Sequence, residues 1–131
     1  AGPAPPWPKP PPGADVESVD ASGVAAASQP AVATLRELFS RYKAVAPPGR
    51  RKEVEDTAHR LGGLVFFLGA PEGTDGKVTP GVEAAVQQAV AAKAAGDAAG
   101  AEAVMKALAA SEDWEECSHW HAAMRRLFKA T

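Results

Sequence analysis

A single cysteine, Cys117, occurs among the 131 residues. That excludes an intrachain disulfide and fits a reducing compartment. No run of 18 or more apolar residues occurs, so no segment reads as a membrane span. Neither sign of charge is in excess: 14 basic residues stand against 16 acidic, net −2 at pH 7. This removes the electrostatic basis for strong non-specific binding to nucleic acid. Aromatic residues make up only 6%. What is abundant is alanine, 30 of them, joined by 12 glycines and 12 prolines. An alanine-rich chain with few β-branched residues leans towards helix. The length corresponds to one domain. The chain opens at Ala1 inside a proline run, with neither a charged n-region nor an apolar h-region. That pattern is no signal peptide and is expected to be a piece of something longer.

Composition divides the chain in two. Seven of the first twelve residues are proline. Proline fixes φ and removes the amide donor, which leaves extended, solvated polyproline II as the expected state. Gly13 to Gln29 are small and polar with scattered acids (Asp15, Glu17, Asp20). So little apolar surface does not offset the entropy of ordering. Residues 1–29 therefore read as a proline-rich disordered linker, and residues 30–131 as a helical bundle.

From Pro30 the apolar spacing becomes helical. A first helix over 30–45 carries Val32, Leu35, Phe39 and Tyr42 on one face with Leu38 beside them, and Ala46-Pro47-Pro48-Gly49 stops it. A second over 50–68 repeats Val54, Ala58, Leu61, Leu64, Val65 and Leu68, with Asp56 and Arg60 placed for an i,i+4 pair. Gly62-Gly63 interrupts it, which predicts a kink or, in preference, another helix backbone passing close by. Thr79-Pro80 opens a third helix with Val82, Ala85, Val86, Ala89, Val90 and Ala92. Gly96 closes it, and Asp97 caps a fourth bearing Ala101, Val104, Met105 and Leu108. So short a connection predicts a hairpin. A last helix from Ser111 or Asp113 starts with a capping box, Asp113 to Glu116, and turns Cys117, Trp120, Met124, Leu127 and Phe128 inward. The expected fold is all-α, a small antiparallel five-helix bundle.

The residues that could carry chemistry are few. Cys117, His119 and His121 are metal-ligand types, but on one helix His119 points away from the other two. Only His59 could complete a structural zinc set. They read as a buried cysteine and two surface histidines, with no metal, cofactor or catalytic residue. Cys117 as a nucleophile is opposed by Asp113, Glu115 and Glu116, which raise a thiol pKa. Glu115/Glu116 and Glu55/Asp56 read as solvated or dipole-complementing carboxylates. No phosphate-binding glycine loop occurs. Arg50, Arg51, Lys52 and Arg60 are interleaved with Glu53, Glu55 and Asp56 and read as a solvated face. The proline run is different, because preformed polyproline II docks into a partner at little entropic cost. Trp7, Pro10, Pro11 and Pro12 are the candidate partner-binding residues, the alternative being a spacer of no specificity.

One family resemblance is specific. The segment Asp113-Trp114-Glu115-Glu116-Cys117-Ser118-His119-Trp120, continuing to Met124-Arg125-Arg126-Leu127-Phe128, resembles the closing helix of the large COPII outer-coat subunit. That subunit is built from a WD-repeat propeller, an α-solenoid, a proline-rich region and a C-terminal helical domain. Arg51-Lys52 through Asp56 to Arg60-Leu61, Lys77-Val78-Thr79-Pro80 and Ala95-Gly96-Asp97 agree with it too. The C-terminal domain of the steroid receptor RNA activator protein is similar. The resemblance covers roughly residues 30–130, and marks Trp114, Cys117, Trp120 and Leu127 as core and motif positions. It departs at Gly62-Gly63 and at an apparent insertion over 71–75.

It implies a non-catalytic scaffold domain in ER-to-Golgi vesicle transport. The chain would be cytoplasmic, peripheral at endoplasmic reticulum exit sites, touching membrane only through the coat. Implied partners are the inner-coat GTPase-activating subunit, through Pro10-Pro11-Pro12, and the outer-coat partner subunit in the full-length protein. No direct nucleic-acid contact is expected. Trp7 lacks the asparagine neighbour of the family segment that stimulates the small GTPase, so that role is not carried over. The alternative is an RNA or transcription-factor binding module of the receptor-activator type. It calls for a contiguous basic face, whereas residues 30–131 hold 13 basic and 13 acidic residues.

Overall fold

The computed structural model describes residues 8–131 and contains helix, turn and loop but no strand among them. Six α-helices follow one another: α1 Gln29–Val45, α2 Arg51–Leu68, α3 Pro80–Ala94, α4 Ala98–Ala109, α5 Trp114–Cys117 and α6 His121–Ala130. Short 3-10 turns at Ala26–Ser28 and Pro48–Arg50 lead into α1 and α2. No helix is long and apolar enough to cross a membrane among the described residues.

Local chemistry explains most of the boundaries. The proline of α1 lies in its first turn, where the missing amide costs no hydrogen bond. Gly96 takes φ +81 after α3. The amides of Gly96 and Asp97 then reach back to the carbonyls of Lys93 and Ala92, a Schellman closure. Asp97 at once accepts the Gly100 amide (2.8 Å) and starts α4. With only three residues between them, α3 and α4 pack along each other, and α3 in turn rests on α1.

The amphipathic α6 is the hub. It touches α1, α2 and α4, and buries Ala123, Met124, Leu127 and Phe128. Those meet Leu35, Leu38 and Phe39 of α1, Leu61, Leu64 and Leu68 of α2, and Met105 of α4 in one continuous core. Arginines bridge its flanks: Arg126 donates to Thr57 Oγ1 (2.8 Å), and Arg125 pairs with Glu102.

Three expectations are corrected. First, the closing segment is two helices rather than one, so the molecule has six among the described residues. Arg60 Nη1 donates to the His119 carbonyl at 2.8 Å, while the Trp120 amide bonds Cys117 in a tighter i→i−3 turn. A tertiary donor thus replaces the helical one at the break. Second, the capping box at Asp113 does not form. Glu116 is buried and accepts instead from the Thr79 amide (2.7 Å) and hydroxyl (3.0 Å), placing its carboxylate at the start of α3. Of the reading of Glu116 as solvated or dipole-complementing, the first half fails and the second holds, at the start of α3 rather than of its own helix.

Third, the linker reading does not hold for residues 14–28. Val16 is fully buried, Ala14, Val24 and Ser28 are buried too, and the Val16 amide bonds the Ala58 carbonyl at 3.0 Å. Residues 8–28 form a strap laid over the second half of α2. That is why Leu61 to Val65 are all buried, on both faces of the helix. Gly62-Gly63 does not break α2, and what approaches it closely is the strap, not another helix. A methyl placed on Gly62 would lie 2.6 Å from the backbone nitrogen of Asp15.

Candidate functional site

The proline run is split by the fold. Trp7 lies outside the described residues. Pro10 is buried, and a methyl on Gly63 would sit 2.8 Å from its Cγ. Pro11 and Pro12 are exposed, and the Pro11 carbonyl accepts the Ala14 amide at 3.0 Å to close a turn. The expectation of a wholly solvated triple proline is therefore corrected: two of the three residues face solvent and the third is seated in the bundle. The packing of a proline ring against a glycine needs no charge or hydrogen bond, only the absence of a side chain at residue 63.

The cysteine and histidines do not converge. Because α5 ends at Cys117, the helical geometry that would align Cys117 with His121 is lost. Cys117 is fully buried. His121 is also buried, not on the surface as expected, and its Nε2 contacts the Met105 carbonyl at 2.6 Å. His119 turns the other way, towards His59, with ring centroids 6.1 Å apart. Among the described residues, no three His, Cys, Asp or Glu side chains gather closely enough to hold a metal ion. His119 lines the notch beside Pro10 and Gly63, where its Nε2 is buried without a hydrogen-bond partner. Burial first, then the neighbouring Arg60 and His59 charges, hold its pKa below the ordinary histidine value.

Burial pushes the Cys117 thiol up to about 12, with Glu116 and Asp113 adding like charge. At pH 8 this lowers the thiolate fraction about a thousandfold relative to an unperturbed thiol. A thiol reagent should accordingly label the native chain at least a hundredfold more slowly than the urea-unfolded chain. The unfolded thiol ionises first, so stability contributed by this group is present below pH 9 and declines as pH rises towards 12.

Of the motif residues, Cys117, Trp120 and Leu127 lie in the core as expected, whereas Trp114 is 42% exposed and packs by its edge on His121. The arginines of α2 and α6 are paired. Arg60 bonds Asp56 at 2.9 Å and Arg51 bonds Glu55 at 3.0 Å; Arg126 lies 3.4 Å from Asp56. An open groove of about 560 Å³ runs between the end of α1 and the start of α2. Phe39, Val54 and Ala58 form its apolar floor, and Pro47 and Pro48 close one end. Its rim charges answer one another, Lys43 to Glu17 (3.1 Å) and Arg51 to Glu55. Such a surface suits a protein segment better than a charged metabolite, because the rim charges are already matched within the chain.

Sequence reasoning missed the notch of Gly63, Pro10 and His119, and also Arg36, whose Nε donates to the Val16 carbonyl at 2.8 Å and whose Nη2 donates to that of Val19. The glycine pair was the one available signal. No family model, no curated protein and no solved structure matches this chain.

Proposed function

We propose that this chain is a non-catalytic protein-interaction module, the C-terminal helical domain of a COPII outer-coat large subunit, acting at endoplasmic reticulum exit sites. The observation that carries the reading is the closing segment. Cys117, Trp120 and Leu127, three of the four motif positions of the family resemblance, are buried in the one core to which α1, α2, α4 and α6 all contribute. The exposed Pro11 and Pro12 supply one contact, to the inner-coat GTPase-activating subunit. The apolar groove between α1 and α2 supplies the second, to another coat subunit. Two weak contacts on one chain reinforce each other, because the second forms at an effective concentration of about millimolar. Each alone stays weak enough for the coat to come apart.

Binding of the full chain to purified inner-coat subunit tests the reading. Deleting residues 1–13 should weaken it at least tenfold, and unchanged affinity would reject the peptide role. Replacing Val54 in the groove floor with glutamate should leave that contact intact and abolish capture by the second subunit. Tight binding of structured RNA that falls steeply with salt would favour the receptor-activator alternative instead.

A further inference from the structure

Two prolines of the run, Pro8 and Pro10, are held by the rest of the chain. Pro10 seats on Gly63, and Pro8 seats on Gly76, where an added methyl would lie 3.1 Å from the Pro8 Cβ. Beyond the run the strap is pinned by four hydrogen bonds to its backbone. A His59 ring nitrogen meets the Ala14 carbonyl at 3.0 Å, the Val16 amide meets the Ala58 carbonyl, and Arg36 grips the carbonyls of Val16 and Val19. An aromatic groove that reads consecutive prolines covers more than one edge of the polyproline helix. With Pro10 buried, such a groove reaches only Pro11 and Pro12.

We infer that residues 8–16 are an intramolecular latch on the partner-binding run, so that a proline-reading partner engages fully only after Pro10 leaves the Gly63 notch. This rests on the reading of the run as a partner ligand. The latch and the partner compete for the same residue. The apparent dissociation constant is the intrinsic one divided by the fraction of molecules in which the latch is open. A variant that opens the latch without altering the run must then bind more tightly.

Two variants do so by independent routes. Gly63→Ala fills the notch, and alanine favours the helix, so α2 itself persists. Arg36→Ala removes both grips on the strap while leaving the notch unfilled. Each is compared with the unaltered full chain in two measurements. Hydrogen exchange at the Val16 amide reports the strap directly, with no partner present. Titration with purified inner-coat GTPase-activating subunit reports affinity.

The latch requires the Val16 amide to be protected in the unaltered chain, to exchange at least tenfold faster in both variants, and affinity to rise about three- to tenfold in both. A Val16 amide already exchanging at the unfolded rate overturns the latch and leaves the ligand reading standing. Faster exchange with unchanged affinity overturns it as well. If no form of the chain binds the subunit, the ligand reading fails and the latch falls with it.

Discussion

A chain shortened to begin at Pro30 should lose about 3 kcal/mol of stability and melt about 12 °C lower, at roughly 4 °C per kcal/mol for a domain of this size. The loss begins with the side chains that would vanish. Val16 and Val24 are 0% and 5% exposed, and burying a valine contributes about 1.5 kcal/mol or more. Removing them also uncovers the strap-facing side of α2, and leaves Arg36 without its two carbonyl acceptors. The chain entropy released by not ordering the strap offsets part of the remaining burial. That is why the expected loss is a fraction of the gross burial. Thermal unfolding followed by circular dichroism at 222 nm checks it. An unchanged melting temperature would restore the linker reading, since a solvated tether contributes nothing to the fold. Deleting only residues 1–13 should change melting far less, because Val16 and Val24 both remain.

How far the sequence discloses the molecule depends on whether a signal is local. Gly96 followed by Asp97 states its own structure: one residue admits the positive φ and the next accepts the amide of Gly100. Pro47-Pro48-Gly49 does the same after α1, and the 3.6-residue spacing of Val32, Leu35, Phe39 and Tyr42 names the buried face. The strap leaves no such trace. Val16 and Val24 are isolated apolar residues among serines, acids and alanines, with no period to reveal which of them is buried. Only the glycine pair on α2, which receives Asp15 and Pro10, is conspicuous, and a glycine does not say what approaches it. The break between α5 and α6 is equally silent. Neither proline nor glycine stands at Ser118-His119-Trp120, and the cause is a guanidinium 59 residues away in sequence. Glu116 obeys the same logic: the local rule assigns it to the amide of its own helix start, and the fold gives it to Thr79, 37 residues away. The candidate site was legible in its exposed prolines and hidden in the notch that holds the third.

Replacing Gly62 with alanine should destabilise the protein by about 1 kcal/mol net, although helix propensity alone predicts a gain of about 1 kcal/mol. The sign decides between two pictures of α2. Were that face of the helix open to solvent, the methyl would meet water and the backbone would lose less entropy on folding, so the variant would be more stable. In the packed structure a methyl at residue 62 lies 2.6–2.7 Å from the nitrogen, carbonyl carbon and Cα of Asp15. Backbone atoms cannot rotate away as the end of a side chain can. The strap must lift, and with it go the Val16 amide bond to Ala58 and part of the burial of Val16. Forced overpacking of this kind typically costs about 1–3 kcal/mol, which exceeds the propensity gain. Gly81, in the first turn of α3, provides the internal control, because nothing lies within 4 Å of a methyl placed there. Gly81→Ala should be neutral or slightly stabilising. Urea denaturation of the three proteins side by side reads the answer as a lower midpoint for Gly62→Ala alone. A rise in midpoint for both glycine variants would mean that the strap does not rest on α2 in solution, and the buried position of Pro10 would lose its support.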